Sequence, residues 1–200
     1  MRKKTLIVMV KEPLPGRVKS RLGRDIGMTT AAWWFRNQVK DMLRRLQDPR
    51  WELVLAVTPD YAGLKSRVWP NKHRRLKQGG GDLGARMARV LASVPHGPVC
   101  VIGADIPGVT KMHIAKAFAV LGHRESVLGP SPDGGYWLIG LKNARPAPAT
   151  IFKHVKWSSE YALKDTLVSL GELSVGFVDE LSDVDTLDDL RMTARGARAT

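Results

Sequence analysis

The chain reads as an α/β protein with a mostly parallel sheet. Short continuous apolar runs recur along it, as buried parallel strands require. Stretches of helical spacing lie between those runs. No repeat, low-complexity tract or long linker interrupts the alternation, so 200 residues form one domain.

The elements follow in order. Thr5–Val10 is the first strand, and a helix is expected from about Thr30 to Leu46. Glu52–Thr58 is the second strand, stopped by Pro59. Leu83, Met87, Val90, Leu91 and Val94 fall on one helical face. Val99–Ile102 is the next strand, and Thr110 is suited to cap a helix over Lys111–Leu121. Ser126–Leu128 and Tyr136–Leu141 are strands flanking a Gly/Pro-rich turn. Leu163, Leu167 and Leu170 mark a helix that Ser158 and Ser159 are positioned to cap. Ser174–Val178 is the last strand, and Thr186 to Asp189 resembles a capping box opening a final helix.

Composition narrows the function classes. The lone Cys100 rules out an intrachain disulfide framework and a cysteine-only zinc cluster, and it reads as a small buried hydrophobe. No apolar run approaches the ~20 residues of a membrane span. Thr5–Val10 is too short for a signal-peptide core, so a cytoplasmic location is expected. The net charge is +13, with a balance of +9 in residues 1–50 and −3 in residues 151–200. A basic start and an acidic end suggest an anion site shared with a metal. Nucleic-acid binding is the rival reading of so basic a chain, but no nucleic-acid motif supports a specific complex. His73, His96, His113, His123 and His154 lack metal-ligand spacing and are expected at the surface.

In a parallel sheet the ligand crevice lies beyond the carboxyl ends of the strands, so those loops are where chemistry is expected. The first strand runs into Lys11 and the turn Pro15-Gly16, then Arg17, Lys19 and Arg21. Arg17 and Arg21 are spaced to share a helical face, with Lys19 projecting differently, an arrangement able to surround a polyphosphate. Gln78 to Met87 carries Gly79, Gly80 and Gly81, which implies close backbone approach, and Asp82 is suited to cap the helix that follows. Asp105 stands immediately past an apolar strand, between Gly103 and Pro107, where a carboxylate can hold a divalent cation against phosphate. Asp133 sits in an Asp-Gly turn beside Tyr136 and Trp137, an aromatic pair suited to a sugar, to a base or to the core. Asp183 and Asp185 precede the last helix, and one of the two is expected to join Asp105.

Five segments taken together carry a resemblance: LIVMVKEPLPGRVKSRL, QGGGDLGARM, VIGADIPGVT, GPSPDGGYWLIGL and DVDTLDDL. Across residues 5–192 the chain resembles a bacterial glycosyltransferase A-like family of the nucleotide-diphospho-sugar transferase superfamily. Lys19-Ser20-Arg21-Leu22 is also similar to the phosphate loop of the 2-phospholactate guanylyltransferases. The resemblance implies a Rossmann-like three-layer α/β/α sandwich with a mixed sheet. It implies Mg2+, or Mn2+, bound by Asp105 and Asp185. Asp105 is the expected catalytic residue, and Asp133, which the resemblance does not single out, is an outside candidate for a general base. The expected nucleotide- and phosphate-binding set is Lys11, Gly16, Arg17, Lys19, Arg21, Gly80, Gly81, Asp82, Gly134 and Gly135. The implied donor is a nucleotide sugar or a nucleoside triphosphate, with a separate acceptor. Many glycosyltransferases carry Asp-x-Asp after the middle strand, whereas Ala104-Asp105-Ile106-Pro107 has one carboxylate, as nucleotidyltransferases do. Glycosyl transfer is the first expectation, nucleotidyl transfer the alternative, and a non-catalytic nucleotide- or nucleic-acid-binding protein the third.

Overall fold

The computed structural model describes residues 3–145 and 147–196. Its strands are β1 (Lys4–Lys11), β2 (Trp51–Thr58), β3 (Arg74–Lys77), β4 (Val99–Gly103), β5 (Ser126–Pro130), β6 (Tyr136–Leu141) and β7 (Val175–Phe177). Its helices are α1 (Ser20–Ile26), α2 (Met28–Arg45), α3 (Asp60–Lys65), α4 (Leu83–Ala92), α5 (Lys111–Val120), α6 (Ala162–Ser169) and α7 (Leu187–Gly196). The strands form one sheet in the order β3-β2-β1-β4-β6-β5-β7.

β1 pairs in parallel with both β2 and β4, and β2 in parallel with β3. β6 is the reversal: it runs antiparallel to β4 on one side and to β5 on the other. The mixed sheet expected from the family resemblance is therefore present, and β6 alone makes it mixed.

Strand periodicity builds the two outer layers. Leu6, Val8 and Val10 of β1 face one cluster with Phe35 and Val39 of α2 and Ile114 and Phe118 of α5. Ile7 faces the opposite cluster with Met87 and Val90 of α4, Ile139 of β6 and Leu163 of α6. Cys100 is fully buried in β4, as its apolar neighbours suggest. The cap residues hold as expected at three helices. Asp82 accepts from the Ala85 N–H at 2.8 Å, Thr110 and His113 form a capping box, and Thr186 pairs reciprocally with Asp189.

Several local expectations are corrected. α6 starts at Ala162 with no side-chain cap, because Ser159 is turned to the Tyr161 N–H and the Lys156 carbonyl instead. His73 is buried against the β2 side of the sheet rather than exposed. β3 is an additional edge strand of sequence RRLK. Arg75 within it donates to the carbonyls of Gly63, Leu64, Ser66 and Trp69, fixing the irregular segment that precedes the strand. Among the described residues no helix is long and apolar enough to cross a membrane.

Candidate functional site

The parallel strands β1, β2 and β4 all point their carboxyl ends at one edge of the sheet, and reversed β6 begins there. A cavity of about 840 Å³ opens along that edge. Thr58 lines it at the end of β2, Gln78 and Asp105 from beyond β3 and β4, and Tyr136 and Trp137 from the start of β6.

Its charged end is built around Lys19. This residue precedes α1 with left-handed backbone (φ 46°, ψ 47°), which turns its side chain inward across the loop. The ammonium donates to Asp185 Oδ1 at 2.6 Å and to Asp105 Oδ2 at 3.1 Å, and the side chain is only 5% exposed. Burial alone would lower the Lys19 pKa. The Asp105 charge and the bond to Asp185 outweigh it, so the pKa lies above the ordinary lysine value. Arg21 reaches Asp185 Oδ2 at 3.4 Å from an exposed position. Because α1 begins at Ser20, Arg17 lies in the preceding turn, not on a helical face shared with Arg21.

Asp105 is held by what surrounds it. A Cβ on Gly103 would come within 2.6 Å of Asp105 Oδ1, so the carboxylate can fold back only over a glycine. The Asp105 carbonyl accepts the Val184 N–H at 3.2 Å, which ties the acidic segment before α7 to the end of β4.

The expectation that only one of Asp183 and Asp185 faces the site is corrected. In an extended segment, residues two apart share a side. Val184 is fully buried, and both flanking aspartates point the other way. Asp105, Asp183 and Asp185 each offer an oxygen within 4.8 Å of the others. Asp189 accepts from the backbone N–H groups of Asp185 and Thr186, holding the segment in register with α7. Among the described residues Asp183 forms no ion pair, and the Lys19 charge only partly offsets what surrounds it. Its burial, and then the charges of Asp105 and Asp185, push its carboxyl up to about 6.

This donor set fits a hard divalent cation: three carboxylates converge, and a cationic group is already bound between two of them. In the structure the cation these carboxylates hold is the Lys19 ammonium.

The other expected site residues divide. Lys11, Arg17, Lys19, Arg21, Asp105, Asp133, Gly135 and Asp185 line the cavity. Gly16, Gly80, Gly81, Asp82 and Gly134 do not. The glycine loop before α4 is held from behind: Arg89 donates to the Gln78 and Gly80 carbonyls, and Arg86 to the Gly81 carbonyl at 3.0 Å. Gly134 (φ 81°) meets the Glu160 backbone, and its carbonyl accepts the Leu163 N–H, so its role is packing. Asp133 accepts from the Gly135 N–H at 3.0 Å, closing the turn before β6.

Sequence reasoning missed several lining residues. Gln78 is buried, and its amide donates to the Ala56 carbonyl at 2.7 Å and the Val10 carbonyl at 3.2 Å, locking the ends of β1 and β2 together. Its signal was a polar residue directly after a strand. Trp157 and Glu160 also line the cavity, brought there by the irregular stretch between β6 and α6. Trp137 is mostly core, its indole N–H donating to the Asp179 carbonyl at 2.9 Å.

The structure is similar to that of a Desulfovibrio desulfuricans G20 protein provisionally called a nucleotide-diphospho-sugar transferase. The two are 29% identical over 98% of this chain and 88% of that one, with a TM-score of 0.86. It is also similar to CMP:2-keto-3-deoxy-manno-octonic acid synthetase complexed with CTP, at 11% identity, full coverage of both chains and a TM-score of 0.64. A third likeness is to Rv0371c of Mycobacterium tuberculosis H37Rv complexed with manganese, at 18% identity, 96% and 97% coverage and a TM-score of 0.56. At the two lower identities the likeness is one of fold alone. Comparison with curated proteins gives no match. Residues 42–159, more than half of the chain, match the model of the family described as "Uncharacterized protein conserved in bacteria (DUF2064)", and the chain belongs to that family.

Proposed function

We propose that this protein is a divalent-metal-dependent transferase that binds a nucleotide-activated donor through its phosphates and passes a group to a second molecule. The carrying observation is the convergence of Asp105, Asp183 and Asp185 on the Lys19 ammonium at the carboxyl ends of the parallel strands. Asp105 and Asp185, with Asp183 beside them, would hold Mg2+ or Mn2+. A divalent ion bound there neutralises phosphate charge and acts as a Lewis acid on a phosphate oxygen.

The chain's own residues supply the rest. Arg17 and Arg21 bind phosphate oxygens at the mouth of the site, and Lys19 adds a buried ammonium beside them. Gly103 and Val184 keep the carboxylates in position before ligand arrives, so little reorganisation accompanies transfer. Asp133, which also lines the cavity, is the carboxylate suited to take a proton from an acceptor hydroxyl.

The first reading of the donor is a nucleotide-diphospho-sugar, in keeping with the description of the Desulfovibrio desulfuricans neighbour. Nucleotidyl transfer from a triphosphate is the second. It is favoured by the single carboxylate after β4 and by the likeness to a synthetase complexed with CTP. Thermal shift with UDP-glucose, GDP-mannose, CTP and GTP, each with manganese and with chelator, tests both. Metal-dependent stabilisation by the sugar nucleotides above the triphosphates supports glycosyl transfer, and the reverse order supports nucleotidyl transfer. No shift by any of them refutes the transferase reading.

A further inference from the structure

Helix α2 carries two stripes. Ala32, Phe35, Val39 and Met42 are buried against the sheet. Trp33, Arg36, Lys40 and Arg44 recur at i, i+3, i+7 and i+11, which sets them in a second stripe about 100° round the helix and roughly 16 Å long. Trp33, Arg36 and Arg44 are exposed, and Lys40 is half-buried along its stem.

Trp33 is out of place among the tryptophans. Trp51, Trp69 and Trp137 are buried, and Trp34 and Trp157 are half-buried. Trp33 alone of the six stands 65% exposed, with no ring or cation of the chain against it among the described residues. Its indole therefore leaves a large apolar surface in water and contributes little to the core.

The charges beside it are uncommitted. On α2, Arg44 pairs with Asp41, and Arg45 donates to the Val109 carbonyl at 2.8 Å and the Pro107 carbonyl at 2.6 Å. Among the described residues Arg36 and Lys40 have neither a hydrogen-bond nor an ion-pair partner, and Asp41, the one acid of the helix, is already neutralised. Arg24 on α1, which packs against α2, is likewise exposed and without a partner. The outer surface of α2 thus offers a bare indole and free cations to something flat and anionic.

Two polyanions could meet such a surface. A single strand of nucleic acid needs a basic groove and several rings on which successive bases stack. α2 presents the convex side of a helix and one exposed ring, since Trp34 is turned into the core. A bilayer surface asks for less: an indole seats at headgroup level, and each nearby cation is drawn to anionic headgroups.

We propose that the outer stripe of α2 docks this protein on an anionic phospholipid surface, with Trp33 entering the headgroup region and Arg36 and Lys40 facing lipid phosphates. The inference stands on α2 and is independent of the transferase reading.

The test is co-sedimentation of the full chain with vesicles of equal parts phosphatidylglycerol and phosphatidylcholine, and with vesicles of phosphatidylcholine alone, at physiological salt. Binding is expected to the first and not to the second. A chain of net charge +13 is drawn to any anionic surface, so the deciding comparison is between faces of the sheet. Arg36→Gln with Lys40→Gln removes two charges from the stripe and should weaken binding about tenfold or more. Lys153→Gln with Lys164→Gln removes two exposed charges from the α6 side and should weaken it less than about threefold. Trp33→Ala leaves the charge unchanged and should weaken binding at least about fivefold. All these positions lie outside the core, so each variant should keep the parent melting temperature. Equal losses from the two double variants, or no loss from Trp33→Ala, overturn the proposal. So does oligothymidine binding that depends on Trp33 when vesicles do not bind.

Discussion

Replacing Lys19 by methionine keeps the length of the side chain and its left-handed backbone and removes only the ammonium. At about 3 Å and an effective dielectric near 20, each carboxylate contact is worth roughly 5 kcal/mol of gross Coulomb energy, most of it offset by stripping water from the ammonium. Asp105 and Asp185 are 36% and 38% exposed, so screening reduces the net further. Lys19→Met should therefore cost about 1–3 kcal/mol in chelator, the usual range between exposed and buried pairs. Because the Lys19 pKa is raised, this contribution is full below the ordinary lysine value of 10.5 and disappears as pH climbs past the folded-state value. Urea unfolding at pH 7 in chelator, then in saturating manganese, is the assay. With metal bound the carboxylates have another counter-ion, so the loss should shrink by at least half. An equal loss in both conditions, or none in chelator, would refute the reasoning that Lys19 and the metal compete for one seat.

Two further outcomes follow from the same geometry. The folded state holds the Asp183 proton up to about pH 6, while the unfolded chain releases it near 3.8, so the metal-free protein loses stability as pH rises through that window. Asp183→Asn should remove this part of the slope and raise the melting temperature in chelator at pH 7 but not at pH 4, as calorimetry would show. Gly134→Ala should cost about 2–4 kcal/mol in chemical denaturation. Its φ of 81° is strained for any side chain, and the new Cβ meets the rigid Glu160 backbone.

How much of this was legible depended on whether the information was local. β1, β2, β4 and β6 announce themselves as apolar runs because both faces of each are covered. β3 does not: an edge strand of sequence RRLK pairs only with β2 and shows no apolar pattern. α3, at six residues, is too short for helical periodicity to register. Asp105 was readable because a carboxylate directly past a buried strand serves no packing purpose. Asp183 was not chosen over Asp185, since its membership of the cluster depends on Val184 turning inward. The glycine loop invited a ligand reading, yet its carbonyls are taken by Arg86 and Arg89, one and two turns into the helix that follows. Sequence spacing alone cannot distinguish a loop open to a ligand from one pinned by its own arginines.

The reversal of β6 separates what this fold can vary from what it must keep. β1 and β4 lead into Lys11, Arg17, Lys19 and Asp105 at their carboxyl ends, and both are tied into the sheet by parallel neighbours. β6 approaches the same edge from the opposite direction, so the turn over residues 131–135 reaches the cavity from outside the parallel block. That turn closes on itself through the Ser131–Gly135 and Ser131–Gly134 backbone bonds. The turn is also bound outward, since the Gly134 carbonyl accepts the Leu163 N–H of α6, so an alteration there acts on α6 rather than on β1 or β4. The charged cluster between β1, β4 and α7 is thereby insulated from what happens at the β5–β6 turn, and α6 is the element that registers it.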